Sequence, residues 1–465
     1  MEHSTDNGWG TTVRRTQTKG KVKPGMTKQR RGNMEGKLMS QTVSTYLQWI
    51  AERAAESKEW QYYSLANHID VELLGEAFSR LKKKAAAGVD GETVESYRRN
   101  LKENLESLHK RLKENRYRAT PAKRIWLEKD DGGKRPIGML VLEDKIVQRA
   151  VSMLLEPIYE EDFYDFSYGF RRGRNTHQAL KIVREKCMSN KCGWIIDADI
   201  KGYFDTIDHK NLQKMIARRV TDGGIKRLIG KWLNAGVSEE GELSYPESGT
   251  QQGGSISPLL SNIYLHYVLD DWFVKVVQPR LRGKSYLIRF CDDFIVGCEF
   301  KDDAERIMEV LPKRMKKYGL TLHPEKTKLI DFTRPEGDVK RDTFAFLGFT
   351  HYWSKSRKGY WVVKRKTKKK KLSKKKKEIN EWCRKNRHEP IKEQHRHLCR
   401  VLRGHFNYFG VICNHHSMKL LWYYTIVIWR KWLNRRGGKN FITWDKFNLI
   451  LKTLPLPEPK IVHSI

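Results

Sequence analysis

Two adjacent carboxylates interrupt an otherwise apolar stretch at Phe290-Cys291-Asp292-Asp293, and this interruption constrains the chain more than any other feature. Leu287 and Ile288 precede it, Phe294, Ile295 and Val296 follow, and Gly297 closes the run. The pattern predicts a tight hairpin between buried strands with both acids at its tip. At a separation of about 4 Å, two like charges repel by roughly 4 kcal/mol at an effective dielectric near 20. A divalent cation with oxygen ligands is the natural positive partner; a solvated turn is the alternative. Asp-Asp also occurs at Asp130-Asp131, Asp270-Asp271 and Asp302-Asp303, where the flanks predict turns or helix starts. Only the pair at 292 is enclosed by β-forming residues on both sides.

A chain of 465 residues has room for two or three domains. Its 91 Lys and Arg against 55 Asp and Glu leave a formal charge of +36, which opposes compaction unless a polyanion is the working partner. Nucleic acid is the first candidate and an anionic membrane surface the second. No run of about eighteen apolar residues occurs, so no spanning helix is predicted. The polar, basic N-terminus has no signal-type stretch, and a cytoplasmic protein bound to nucleic acid is expected. The seven cysteines form no CxxC pair, which argues against a disulfide framework or a zinc ribbon. The histidine-rich stretch His388 to His416, with Cys399 and Cys413, matches no common zinc spacing and reads instead as a basic helical surface facing RNA.

Residues 1 to about 40 are rich in Gly, Lys, Arg and Thr and read as a basic arm. Helices are predicted over Ser44 to Glu56 and over Tyr97 to Asn115, where Leu101, Leu105, Leu108 and Leu112 recur at helical spacing. Gly88 to Gly91 marks a turn. Ile125-Trp126-Leu127 and Arg135-Pro136-Ile137-Gly138 bracket Asp130-Asp131-Gly132-Gly133 as a hairpin with basic residues at its tip, and 143 to 161 follows as a helix. Trp194 to Lys201 reads as a strand that puts Ile195, Asp197 and Asp199 on one face. A helix at about 206 to 220 takes Asp205 as N-cap, and one near 302 to 318 carries Pro312, a potential kink or break. Lys364 to Lys377 reads as a basic linker or exposed helix start. In the helical end, Leu420, Tyr424, Val427 and Ile428 are placed on one face, with Gly437-Gly438 as the stop.

Nucleotide addition requires in-line attack by a 3′ hydroxyl on an α-phosphate, with charge neutralised on both oxygens. Two divalent ions about 3.5–4 Å apart do this, and they need bridging carboxylates on rigid elements. Asp199 from a strand and Asp292-Asp293 from a hairpin supply such a set. The hairpin with Lys129, Lys134 and Arg135 offers cations for a triphosphate, although charged hairpin tips are also common as solvated turns. Gln251-Gln252-Gly253-Gly254 permits close backbone approach to a substrate.

The ordered motifs resemble those of group II intron-encoded reverse transcriptases and maturases, from about Ala85 to the C-terminus. They run Ala87 to Gly91, Asp131 to Pro136, Ser167 to Arg171, Asp197 to His209 (DADIKGYFDTIDH), GTQQGGSISPLLSNIYL from Gly249, and FCDD. Leu322 to Lys328, Phe346 to Phe349, Leu402 to Gly410 and Pro455 to Ser464 complete the series. The resemblance implies an α+β right-hand polymerase: fingers over 61–190 after a basic N-terminal extension at 1–60, and an antiparallel palm sheet within 191–350. A basic linker at 351–377 and an α-helical thumb, or maturase domain, at 378–465 would follow.

It further implies that Asp199 and Asp292 bind two Mg²⁺ ions, with Mn²⁺ as a possible substitute, Asp293 assisting and the Ile200 carbonyl contributing. Lys129 and Arg135 would hold the triphosphate, Phe204 would exclude a 2′ hydroxyl, and Gln252 would line the nucleotide pocket; simple core packing is the alternative for Phe204. Expected partners are the host intron RNA, an RNA template with its DNA primer, deoxynucleoside triphosphates and target DNA, with no membrane; the oligomeric state is left open. RNA contacts are expected from Arg171, Lys326, Arg403, His405, Asn407 and Tyr408, and from a basic periphery carrying Trp422, Trp429 and Trp432. Phe290-Cys291 stands where the family more often has tyrosine and alanine, and Gln251 and Ser255 replace common prolines. No Cys-rich nuclease domain follows Ile465, which implies that second-strand cleavage is left to others. The resulting expectation is an RNA-directed DNA polymerase that also aids splicing and mobility of its intron. The alternatives are a splicing cofactor with a vestigial polymerase site and a reverse transcriptase recruited to phage defence.

Overall fold

The computed structural model describes residues 41–465 except 83–86, 129–132, 190–191, 246, 251–252, 338 and 438–440. The expected basic arm, Lys129, Gln252 and the second glycine of the Gly437-Gly438 stop therefore lie outside the described residues.

A helix over Gln41–Glu56 buries Ile50 and Ala54 and packs on the long helix Leu142–Asp162, which is almost wholly enclosed. The expected single helix from Tyr97 to Asn115 is two, Val94–Arg99 and Leu101–Lys113, because Asn100 leaves the helical region at φ −119° and ψ 43°. Strands β1 (Ala122–Glu128) and β2 (Lys134–Met139) form the antiparallel hairpin, with Leu127 opposite Arg135. The strand β3 (Trp194–Asp199) follows. After it the chain makes a short helix, Tyr203–Thr206, and a second, His209–Ile216. The N-cap of the second is Asp208 rather than Asp205: Asp208 is extended and its carboxylate accepts from the Asn211 N–H at 2.6 Å. Strands β4 (Val237–Glu239) and β5 (Glu242–Ser244) extend the hairpin into a sheet of order β2-β1-β4-β5, in which β1 and β4 run parallel.

Beyond the helix Ser257–Leu265, two π-helical segments, His266–Asp270 and Phe273–Val277, lead to β6 (Ser285–Phe290) and β7 (Asp293–Cys298). The helix Lys301–Lys317 runs unbroken through Pro312. With β8 (Lys328–Asp331) the second sheet is complete, fully antiparallel in the order β6-β7-β3-β8. This sheet separates two cores. Ile196, Ala198, Phe294 and Val296 face the helices of the first half. Ile195, Ile295 and Ile330 face a second core that continues into the C-terminal helices.

The expected linker at 351–377 is not one. Strands β9 (Phe344–Phe346), β10 (Phe349–Lys355) and β11 (Trp361–Thr367) form a third antiparallel sheet, and the cationic run opens a helix, Lys369–Lys385. The alternation of the strand pair buries His351, Val363 and Arg365 between more exposed neighbours, which defines a half-buried strand rather than a spacer. Helices Ile391–Phe409, His415–Leu433 and Trp444–Thr453 complete the chain. In His415–Leu433 the buried face is Met418, Leu421, Thr425, Ile428 and Trp429, with Leu420 exposed. The helix is apolar nearly all round, so its inward face follows from packing against neighbouring helices rather than from periodicity.

Candidate active site

The antiparallel register of β3 and β7 sets Asp199 directly opposite Asp293 and Asp197 opposite Ile295. Side chains alternate along strands, so Asp197, Asp199 and Asp293 project from the same face of the sheet. Asp292 stands beside them in the two-residue turn of the β6–β7 hairpin, where Phe290 pairs with Asp293. Directly opposed residues of an antiparallel pair have Cα atoms about 4.5–5.5 Å apart, close enough for both carboxylates to reach one ion couple.

Crowding leaves an electrostatic signature. Burial, then the charges of Asp197, Asp292 and Asp199, push the Asp293 carboxyl up to about 8. Burial also lifts Asp197 to about 7, with Lys368 opposing. Asp292 is raised by burial and by Asp199, and restrained by Arg135 and Arg289. Negative charge is thus concentrated beyond what the protein neutralises, the condition under which a cation is taken up. One protein cation already stands there: Lys326 Nζ lies 2.9 Å from Asp199 Oδ2. The loop that carries it is fastened to β3 by His323 N–H donating to the Asp199 carbonyl (2.7 Å), Lys201 N–H to Thr321 O (2.8 Å), and an antiparallel bridge between Ile200 and Leu322.

Around the carboxylates, Arg135 is exposed on β2, and its field reaches Asp292. Gly253 has φ +117°, and a Cβ there would meet the Gly138 carbonyl at 2.5 Å, so only glycine allows this loop to lie against β2. Ser255 N–H donates to Gln148 Oε1 at 2.8 Å, fixing the loop from the other side. Phe204 is half-buried against the first core, and its carbonyl accepts from Thr250 N–H at 2.6 Å. Ile200 is buried at the end of β3.

The expected RNA contacts divide. Arg403 and Asn407 are exposed, four residues apart on the helix Ile391–Phe409 and therefore on one face. Arg171 is not available: its guanidinium is buried, paired with Glu160 at 2.7 Å and donating to the carbonyls of Tyr164 and Ser167. His405 is buried on Phe409, with ring centroids 4.5 Å apart, and burial followed by Lys375 lowers its pKa to about 4. Tyr408 turns inward, its hydroxyl donating to the Leu347 carbonyl at 2.9 Å. That contact exposes what sequence reasoning missed. The Leu347-Gly348 turn, both residues at positive φ, lies beside Asp293, and the Leu347 backbone hydrogen-bonds the Asp293 carboxylate. The only sequence signal was the unusual turn in Phe346-Leu347-Gly348-Phe349.

The profile of the reverse transcriptase (RNA-dependent DNA polymerase) family matches residues 127–351, the span that contains all four aspartates. Protein YkfC of Escherichia coli is 34% identical over 307 residues, covering 58% of this chain and 77% of that protein. The group II intron-encoded protein LtrA of Lactococcus lactis is 31% identical over 269 residues, 55% of this chain and 44% of LtrA. A putative COX1/OXI3 intron 1 protein of Saccharomyces cerevisiae is 27% identical over 312 residues, 57% of this chain and 37% of that protein. The chain spans less than half the length of the last two relatives it matches. The chain belongs to the reverse transcriptases of the group II intron-encoded kind. It is an RNA-directed DNA polymerase by family, with the mixed helix-and-sheet palm and fingers that this family shares. Among the described residues no helix is long and apolar enough to cross a membrane.

Proposed function

We propose that the chain extends a DNA primer on an RNA template at Asp199, Asp292 and Asp293, and that it binds its host group II intron RNA to assist splicing and mobility. The observation that carries the polymerase reading is the register pairing of Asp199 with Asp293 beside Asp292 in an under-neutralised cluster. Among the described residues no three His, Cys, Asp or Glu side chains converge to hold an ion unaided. Mg²⁺ is commonly bound through one or two carboxylates together with waters and substrate phosphates. Asp199 and Asp292 would hold two such ions with the Ile200 carbonyl, and the ions would supply charge neutralisation on the attacking and leaving oxygens.

The chain's own groups do the rest. Arg135 orients the triphosphate over Asp292, a task shared with Lys129. The Phe204 ring packs under the sugar and leaves no room for a 2′ hydroxyl, while the loop of Gln252 and Gly253 forms the pocket floor. Lys326 balances Asp199 while substrate is absent. Residues 61–190 serve as fingers, 191–350 as palm and the C-terminal helices as thumb. The exposed Arg403 and Asn407, with the lysine-rich helix Lys369–Lys385, form the RNA-facing side. Each phosphate neutralised there contributes roughly −0.7 to −0.9 to the slope of log affinity against log salt.

Extension of oligo-dT on poly-rA, run beside binding and splicing of the host intron, tests the reading. Wild type should make cDNA and bind the intron tightly. Splicing rescue without any cDNA would identify a splicing cofactor with a vestigial site instead.

A further inference from the structure

Directly beneath the proposed catalytic turn lies a buried polar cluster that nucleotide addition does not itself use. Arg289 on β6 is fully buried, and so is Asp270 at the end of the π-helical segment His266–Asp270. The two pair in fork geometry, Nε to Asp270 Oδ1 at 2.8 Å and Nη2 to Oδ2 at 2.6 Å. The third nitrogen, Nη1, donates to Asn262 Oδ1 at 2.9 Å and to the carbonyl of Cys291 at 3.1 Å. Asn262 passes the restraint on, its Nδ2 donating to the Gly169 carbonyl at 2.6 Å. Gly169 in turn lies so close to the turn that a Cβ would meet Cys291 Sγ at 2.3 Å and Cys291 N at 2.4 Å. The Arg289 backbone closes the arrangement, its N–H donating to Phe166 O and its carbonyl accepting from Tyr168 N–H, both at 2.9 Å.

What this cluster grips is strained. Cys291 has φ +61°, the left-handed region that residues with a Cβ avoid unless the surroundings impose it. Cys291 is also the residue whose conformation decides where the next side chain, Asp292, points. An ammonium in place of the guanidinium would neutralise Asp270, but it lacks the planar fork that reaches a carboxylate and a turn carbonyl together.

We propose that Asp270, Arg289 and Asn262 form a positioning clamp that holds the Cys291 carbonyl and so fixes Asp292 relative to Asp199. The proposal rests on the reading of Asp199 and Asp292 as the metal-binding pair. None of the clamp residues touches substrate; they act through the turn. Asp270 is the last residue of the π-helical segment, a form that often marks functional sites.

The test uses the full chain with Arg289→Lys, which keeps a charge for Asp270, and with Asn262→Ala, which leaves the Asp270–Arg289 pair intact. Both should fold, by circular dichroism and thermal melting, and bind intron RNA as wild type does. In Arg289→Lys, kcat for dTTP addition on poly-rA/oligo-dT should fall by roughly 10- to 100-fold, the scale of an ångström-sized misplacement. The KM for dTTP should stay within about twofold, because the triphosphate is held elsewhere. Binding of Mn²⁺ alone, followed by electron paramagnetic resonance, should weaken about tenfold, while Asn262→Ala shifts both quantities the same way but less. A merely structural role would lower the melting temperature and the fraction of active sites without moving kcat per active site or Mn²⁺ affinity. Wild-type kcat and Mn²⁺ affinity in the folded variants would overturn the clamp, and so would failure of both variants to fold. A wild type that makes no cDNA, with Mn²⁺ affinity still lowered by Arg289→Lys, would sink the polymerase reading and leave the clamp standing.

Discussion

Asp270-Asp271 and Asp292-Asp293 are the same dipeptide, linked through Arg289, which bonds Asp270 and the Cys291 carbonyl, and the fold treats them in opposite ways. Asp270 is completely buried yet fully answered by the Arg289 fork. Asp271 accepts from Tyr164 at 2.8 Å and from Lys275 at 2.9 Å; against the upward push of burial, these bonds hold it below the usual carboxylate range. Asp292 and Asp293 have backbone hydrogen bonds but, among the described residues, no ion-pair partner of that kind, and burial raises both. Identical side chains thus serve as scaffold where the protein completes their charge balance, and the pair whose balance it leaves open is the one proposed for the chemistry. The difference lies in the surroundings, which is why perturbed acids in a cleft point to function.

The contrast is broken most severely at the open pair. Asp292→Ala should reduce primer extension by roughly a thousandfold or more, the loss of several kcal/mol of charge stabilisation, with intron binding in a filter assay unchanged. At the closed pair the damage should instead fall on folding. Asp270→Ala strands a buried guanidinium and should cost about 3–5 kcal/mol in urea unfolding. Asp293→Asn in metal-free buffer should cost nothing or stabilise slightly, and a loss of more than about 1 kcal/mol would show that the open pair is balanced after all. Mg²⁺ sharpens the same point: at ten times its dissociation constant it should stabilise wild type by about 1.4 kcal/mol, and Asp292→Ala by less.

Histidines extend the comparison to pH. Burial, with Arg365 adding to it, lowers His351 to about 3, and its two ring nitrogens have no hydrogen-bond partner. His405 is lowered to about 4. Because the folded values lie below the unfolded value of about 6.5, the unfolded chain binds more protons in acid. Stability is therefore fully present above about pH 6.5 and falls as pH drops toward the folded values, by roughly 1.4 kcal/mol per pH unit for each such group. His351→Leu should flatten the acid limb of the melting-temperature profile.

The hairpin of Asp292 and Asp293 was legible in sequence because short-range alternation and a two-residue turn determine it locally. The pairing of β3 with β7, which brings Asp199 to Asp293, became legible only through the ordered motifs, since register between distant strands leaves no local mark. Arg171 and His405 misled because residue type suggests RNA while burial decides availability. The linker expected at 351–377 misled for a related reason: charge dominates the composition, but the buried alternate positions Val363 and Arg365 make a strand, while Lys364 to Lys377 does run into a helix start, the other reading of that stretch. Asp208 displaced Asp205 as N-cap because Gly202, in the left-handed region, starts a separate short helix first. Nothing local marked Asp270 as the partner of Arg289, because the two lie nineteen residues apart and a π-helical segment has no periodic signature in sequence.

The near-contact of Gly169 with Cys291 carries a mechanical consequence. With no side chain on Gly169, the Phe166–Gly169 loop lies directly on the backbone and thiol of Cys291, which leaves no slack between that loop and the turn of Asp292. A side chain at position 169 would therefore displace the very turn that carries Asp292.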